Sequence, residues 1–346
     1  MAVARTTKAD PVSLERAEGP WAQAAACSAI GSRPTNEDFH VLRCKGIEPQ
    51  PDPKASIPEP SLGGLFDDLP EVVSGPSLPS AENASVDCLF AILDGHGGME
   101  PAQLCSQRLP TELREQLDVS GRDTPEARRL ACEETCLALD RHLRFKLGPG
   151  GAKWGGSTCV FCYAFHEESA DGQIRLLLAN LGDSRALVLR RRGESDDTLH
   201  EIVLETSDHS PDVPKEKDRI VKAGGTVCFA PGSKYEIPRV DGLLGCSRAL
   251  GDFRYKEDPA LLPEHQKVSI APDVYELTCE SCVLVMGCDG VFDVLSSSDV
   301  AGIVSNSLIE NENDVGDAAF AVVQAALSSP KQQDNVTCVV ALIGSS

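Results

Sequence analysis

The sequence favours two stacked β-sheets with helices on their outer faces over a single doubly wound α/β sheet. Short apolar runs recur near 88–93, 157–165, 174–180, 186–190, 199–204, 282–288 and 336–343, each the length of a strand. Several are apolar at nearly every position, so their sheets are expected to be covered on both faces. From 157 to 204 run follows run with no helical pattern between them. A doubly wound sheet would need a crossover at each step, whereas stacked sheets do not.

In chain order, residues 1–20 read as a loose polar arm, and 21–346 as a single domain. AAACSAIGS (24–32) begins the apolar theme. Residues 45–86 then carry prolines at 49, 51, 53, 58, 60, 70, 76 and 79; proline removes backbone donors and breaks helix and central strand, so this stretch reads as an insertion. The apolar theme resumes at CLFAILDGHGG (88–98). Thr124-Pro125-Glu126 offers a cap, a first-turn proline and an early acid, and predicts an amphipathic helix to about Phe145. Val315, Ala318, Ala319, Val322, Val323 and Ala326 repeat at i, i+3, i+4, i+7 and predict a second helix from Asp314. No internal repeat is evident.

Charge narrows the function. With 32 Lys and Arg against 53 Asp and Glu, the 346-residue chain carries a formal −21, which opposes general attraction to nucleic-acid phosphates or anionic lipid. The first 19 residues lack a signal-peptide apolar core, and no stretch of 18 apolar residues follows. The expectation is a soluble protein without membrane insertion, in the cytoplasm, the nucleus or both, and monomeric. Fourteen cysteines lie in apolar runs and read as buried reduced thiols. The pairs Cys159/Cys162 and Cys279/Cys282 have zinc-like spacing, yet residues three apart on a strand face opposite ways.

Apolar runs end on an acid three times: Asp94 in FAILDGHGG, Asp183 in LLLANLGDSR and Asp289 in VLVMGCDGVFDV. A fourth acid, Asp334, precedes NVTCVVALI. Singly, each has an ordinary explanation: Asp94 and Asp289 can cap helices or shape turns, Asp183 can pair with Arg185, and Asp334 can sit in a turn. Together they suit a hard divalent cation such as Mg²⁺ or Mn²⁺, which takes carboxylate, carbonyl and water oxygens. Such a cluster is costly without a cation, because each carboxylate disfavours ionisation of its neighbours. The Gly95 carbonyl offers a further oxygen.

These residues lie in blocks whose order resembles the type 2C, metal-dependent serine/threonine protein phosphatases. The blocks are GSRPTNEDFH, FAILDGHGG, GGSTCVFCYAF, LLLANLGDSRALVLR, SDHSPDVPKEKDRIVKAGGTV, GLLGCSRALGDFRYK, MGCDGVFDVLSSSDV and QQDNVTCVVALI, spanning roughly 24 to 343. The resemblance implies an α+β sandwich of two antiparallel sheets flanked by α-helices, with a two-metal site at one edge. It implies that Asp94 bridges two Mg²⁺ or Mn²⁺ ions, that the Gly95 carbonyl ligates one, and that Asp289 and Asp334 complete the set. Glu37 would hold metal-bound water. Asp183, with Asp293, matches a weaker third-metal position.

Arg33 matches the residue that grips substrate phosphate, for which a bidentate guanidinium is apt, and His96 matches the general acid. The implied reaction is hydrolysis of phosphoserine and phosphothreonine in phosphoproteins by direct attack of a metal-bridging water, with no cysteine nucleophile. The rival is a non-catalytic scaffold of the same fold that binds phosphoproteins. Retention of Arg33, Glu37, Asp94, Gly95, His96, Asp289 and Asp334 opposes it.

Overall fold

Hydrogen-bond ladders sort the strands into two antiparallel sheets. The computed structural model describes residues 12–45, 87–151, 155–166, 173–191, 200–229 and 237–344. One sheet runs, in spatial order, β1 (Val12–Glu18), β2 (Ala22–Ala29), β15 (Val336–Gly344), β14 (Ser281–Gly287), β8 (Arg185–Arg191) and β9 (His200–Glu205). The other runs β12 (Leu250–Gly251), β5 (Gly156–Ser157), β4 (Cys88–His96), β6 (Cys159–His166), β7 (Ile174–Leu181) and β13 (Asp273–Cys279), with β3 (Asp38–Arg43) also paired to β4. A small ribbon joins β10 (Val227–Phe229) to β11 (Pro238–Val240).

Three apolar layers hold this together, each fed by the period-two alternation of strands. Leu89 and Leu93 of β4 face α1 (Glu100–Ser120) and α2 (Pro125–Gly151), where Leu109, Leu113 and Leu139 are buried. Phe90 and Ile92, one residue out of phase, face the other sheet and meet Val188, Leu284, Met286 and Val339. On the far side Val283, Val285 and Val340 pack against α5 (Ser297–Glu310) and α6 (Val315–Leu327). Strands covered on both faces explain the near-continuous apolar runs.

Local signals place the helices. Thr124 Oγ1 accepts from the Ala127 amide at 3.1 Å, and α2 continues past Phe145 before breaking at Gly148, φ 65°. Asp314 caps α6 by accepting from the Asp317 amide at 2.8 Å. Helix α1 escapes the periodicity because prolines stand in its first turn and at 110. Shorter helices α3 (Pro214–Lys222) and α4 (Asp289–Phe292) complete the set.

One expectation is corrected here. The arm of 1–20 is a strand over Val12–Glu18, paired with β2 along its whole length. Its side chains are mostly exposed, so its composition reads as a polar arm while its backbone supplies the ladder. Residues 46–86, most of the Pro-rich insertion, lie outside the described residues. Cys159 and Cys162 face different layers, so they share no metal. Every cysteine is a free thiol, and all but Cys228 are buried. No helix among the described residues is long and apolar enough to cross a membrane.

Candidate metal and phosphate site

Strand ends from both sheets converge at one edge of the sandwich. β4 carries Asp94 and Gly95 and ends on His96; β14 leads into α4, which opens with Asp289; the turn before β15 supplies Asp334. The loop after β2 supplies Arg33 and Glu37, and the β7–β8 turn supplies Asp183. Asp38 stands directly opposite Asp94 in the β3–β4 ladder. Among the described residues, ligand atoms of Asp38, Asp94 and Cys288 lie within 4.8 Å of one another.

The acids repel one another. Burial, then the charges of Asp289, Asp38, Asp183 and Asp334, push the Asp94 carboxyl well above the ordinary range. Burial, then Asp183 and Asp334, do the same to Asp289. Burial raises Asp38 to about 6 despite the hydroxyl of Thr337 that donates to it at 2.6 Å. Asp183 also rises to about 6, from burial first and then the charge of Asp208.

Asp289 Oδ1 and Asp38 Oδ1 are buried with no hydrogen-bond donor in reach. Orphaned carboxylate oxygens and mutually raised carboxyls are what a divalent cation would relieve, so the residues present fit hard cations. Cys288, the soft member, is engaged elsewhere: its sulfur accepts from the Thr337 amide at 3.2 Å. At Gly95 a Cβ would sit 2.6 Å from the Glu37 carbonyl oxygen, so only glycine lets the Glu37 loop lie against the strand.

The remaining predicted residues join this edge. Arg33 forms an ion pair with Asp334 and donates from Nε to the Gln333 carbonyl at 3.2 Å. Its guanidinium also feels Asp289 and Asp94. His96 Nε2 lies 2.6 Å from Asp252 Oδ2. Burial pulls the His96 pKa down, but Asp252 outweighs it and holds the imidazole above its usual value. Asp183 does not pair with Arg185, which instead binds Asp208 bidentately at 2.6 and 3.0 Å. That frees the Asp183 carboxylate for the cluster. Asp293 lies at its rim, its carboxyl raised by partial desolvation and then by the charges of Asp334 and Asp208.

Sequence reasoning missed three supports. Asp252 holds His96 from a backbone in the left-handed region, φ 50°, a conformation non-glycine residues adopt at a cost. Asn335 donates to the Ile30 and Thr35 carbonyls at 2.8 and 2.9 Å and accepts from the Glu37 amide at 2.9 Å. It thereby ties the Arg33–Glu37 loop to β15. Asp38 completes the acid cluster; its place beside Glu37 in the Glu-Asp pair was the available signal.

The family model described as protein phosphatase 2C matches residues 70–336. The chain belongs to the protein phosphatase 2C family. It is 38 % identical over 222 residues to probable protein phosphatase 1N of Homo sapiens, covering 64 % of this chain and 46 % of that one. It is 30 % identical over 279 residues to probable protein phosphatase 2C 42 of Oryza sativa, covering 72 % and 74 %. The match spans about half the length of the human protein and of its mouse counterpart. In fold the chain resembles a phosphatase from a pathogenic strain of Toxoplasma gondii (TM-score 0.69, 23 % identity, 96 % of each chain covered). It also resembles serine-threonine phosphatase 2C of that organism (TM-score 0.64, 19 % identity, 97 % and 100 % covered).

Proposed function

We propose that this protein is a Mg²⁺- or Mn²⁺-dependent phosphatase that hydrolyses phosphoserine and phosphothreonine in phosphoproteins. It would act in signalling in the cytosol or nucleus, as a monomer with two cations and a weaker third. The observation that carries this is the orphaned, mutually repelling acid cluster beside one arginine and one histidine held by Asp252. Asp94, the Gly95 carbonyl, Asp289 and Asp334 would hold the cations, with Glu37 at the rim and Asp183 at the third position. Bound there, a cation pair polarises phosphoryl oxygens and acidifies water at neutral pH.

The other roles fall to side chains. Arg33, half exposed beside the acids, would exchange part of its pairing with Asp334 for the substrate phosphate. The His96 imidazolium, oriented by Asp252, would deliver its proton to the departing serine or threonine oxygen. A positioned acid of this kind contributes typically about a hundredfold to ten-thousandfold.

The test is phosphate release from a phosphothreonine peptide with Mn²⁺ and with chelator, paired with thermal unfolding. Release is expected only with metal. Manganese at about 100 times its Kd should add about 2.7 kcal/mol of stability. Release unchanged by chelation would overturn the reading. Arg33→Ala is expected to raise KM about tenfold or more, in line with the roughly 1.5–3 kcal/mol of a charge-assisted hydrogen bond. An unchanged KM would remove Arg33 from the phosphate subsite.

A further inference from the structure

Two cysteines stand at the base of the Pro-rich insertion. Cys44 follows β3 and Cys88 opens β4, and no other cysteine lies between them. The β3–β4 register runs from Asp38 opposite Asp94 to Arg43 opposite Leu89; one step further places Cys44 opposite Cys88. The Gly95 amide donates to the Glu37 carbonyl at 3.2 Å, so 37/95 is a hydrogen-bonded pair. Alternation along the ladder then makes 44/88 a non-hydrogen-bonded pair, the kind whose Cα atoms approach to about 4.5 Å. Disulfides span Cα separations of about 4.4–6.8 Å.

The thiols already touch. Cys44 and Cys88 are hydrogen-bonded to each other, and both are buried in the layer between the sheets. Gly19, ahead of β2, lies against the Cys44 backbone. At Gly19 a Cβ would lie 1.8 Å from the Cys44 carbonyl oxygen and 2.9 Å from its Cβ. The hydrogen bond from Cys88 draws the Cys44 thiol pKa down against burial and the charge of Glu18, with Lys45 assisting, and the same bond with burial raises Cys88. Cys44, just past the end of β3 and less deeply buried than Cys88, is the sulfur assigned to attack first, as its thiolate.

We propose that Cys44 and Cys88 are a redox modification site, forming a reversible disulfide that ties residues 44 through 88 into one covalent loop. The oxidant is a small-molecule disulfide. The Cys44 thiolate attacks one of its sulfurs, expelling a thiolate and leaving a mixed disulfide. The Cys88 thiolate then attacks the Cys44 sulfur and expels the second. Two protein thiols lose two electrons and two protons, and the oxidant is reduced to two small thiols. Six strand steps separate Cys44 from Asp38, about 20 Å, so the cross-link forms away from the acid cluster.

The experiment treats the full chain with oxidised glutathione, alkylates the remaining thiols and maps the peptides without reduction. A Cys44–Cys88 cross-linked peptide is expected, with two thiols lost per chain and both restored by dithiothreitol. Oxidation should raise Tm by about 5 °C through loop closure, and Cys44→Ser should abolish both the cross-link and the rise. Recovery of both cysteines as alkylated peptides would overturn the proposal. So would linkage of either to a different cysteine, for example Cys162, or linkage confined to Cys279 and Cys282, the other touching pair of thiols. The map of the wild-type chain decides the matter even where the variant folds poorly, and failure of phosphatase activity would leave it unaffected.

Discussion

Replacing Asp94 with asparagine is expected to lower phosphate release more than about a hundredfold, beyond what loss of an outer-shell partner of a metal site costs. The same substitution is expected to raise the thermal stability of the metal-free protein. Both follow from one fact: the Asp94 carboxylate is buried among Asp289, Asp38, Asp183 and Asp334. Its folded-state pKa lies above the unfolded value, so the native state binds the extra proton. Stability in the metal-free protein therefore falls as pH rises from the unfolded value through the raised folded one, and over that range the buried carboxyl works against folding. Asparagine keeps the shape and removes the charge.

With manganese the order should reverse. Wild type gains stability on binding, while Asp94→Asn gains less because a ligand is gone. Thermal unfolding of both proteins at pH 7 with and without Mn²⁺, beside phosphate release, checks the prediction. Activity within about tenfold of wild type, or an apoprotein destabilised by the change, would mean that the acids are not a cation site.

Glu216→Ala is expected to cost about 3–5 kcal/mol, the usual penalty for breaking a buried ion pair, and about 5 °C in Tm. Glu216 sits in α3 and accepts from Arg248 at 2.7 Å, from Ser247 at 2.7 Å, and from Arg219. Arg248 also reaches Asp273 of β13 at 2.9 Å. Removing the carboxylate leaves two arginines in a nearly dry pocket with one charge between them. Burial pushes the Glu216 pKa up, but Arg248 and Arg219 overcome it and hold it at about 2. A depressed carboxyl stabilises above its unfolded value near 4.5, and that stability is lost as pH falls toward 2.

The wild type should thus lose stability over that acid window, and Glu216→Ala should show a flatter profile there. An unchanged Tm would show that the segment carrying Asp252 is held by apolar contacts alone. Because Ser247–Asp252 lies in that segment, the variant should also loosen the His96–Asp252 contact.

Much of the fold was readable because its strands are buried on both faces. CLFAIL, CVFCYAF and VVALI announce themselves by apolar content alone. Strand β1 was not readable: as an edge strand it contributes backbone hydrogen bonds and few buried side chains, and VSLERAE looks like a solvated arm. Helix α1 was obscured by prolines 101 and 110, which cost a helix hydrogen bonds but are tolerated at the first turn and in a packed helix.

At the site, Asp94, Asp289 and Asp334 stood out as acids next to apolar strands, and the block order tied them to Arg33, Glu37 and His96. Asp38 and Asp252 did not stand out, because a buried aspartate and an exposed one are the same letter. Asn335 did not stand out either. Its three hydrogen bonds to residues about 300 positions away exist only once β15 lies beside the Glu37 loop.

The one-dimensional pattern therefore carried the layer architecture and the identity of most acids, since burial on both faces and an acid at a strand end leave local marks. Three-dimensional packing settled how those acids behave. Convergence of strand ends from two sheets raises their pKa values, diverts Arg185 to Asp208 and gives His96 its partner, while the β3–β4 register sets Cys44 against Cys88. None of these has a local mark, because Coulomb energy and thiol contact depend on distances that ladder register and sheet stacking create.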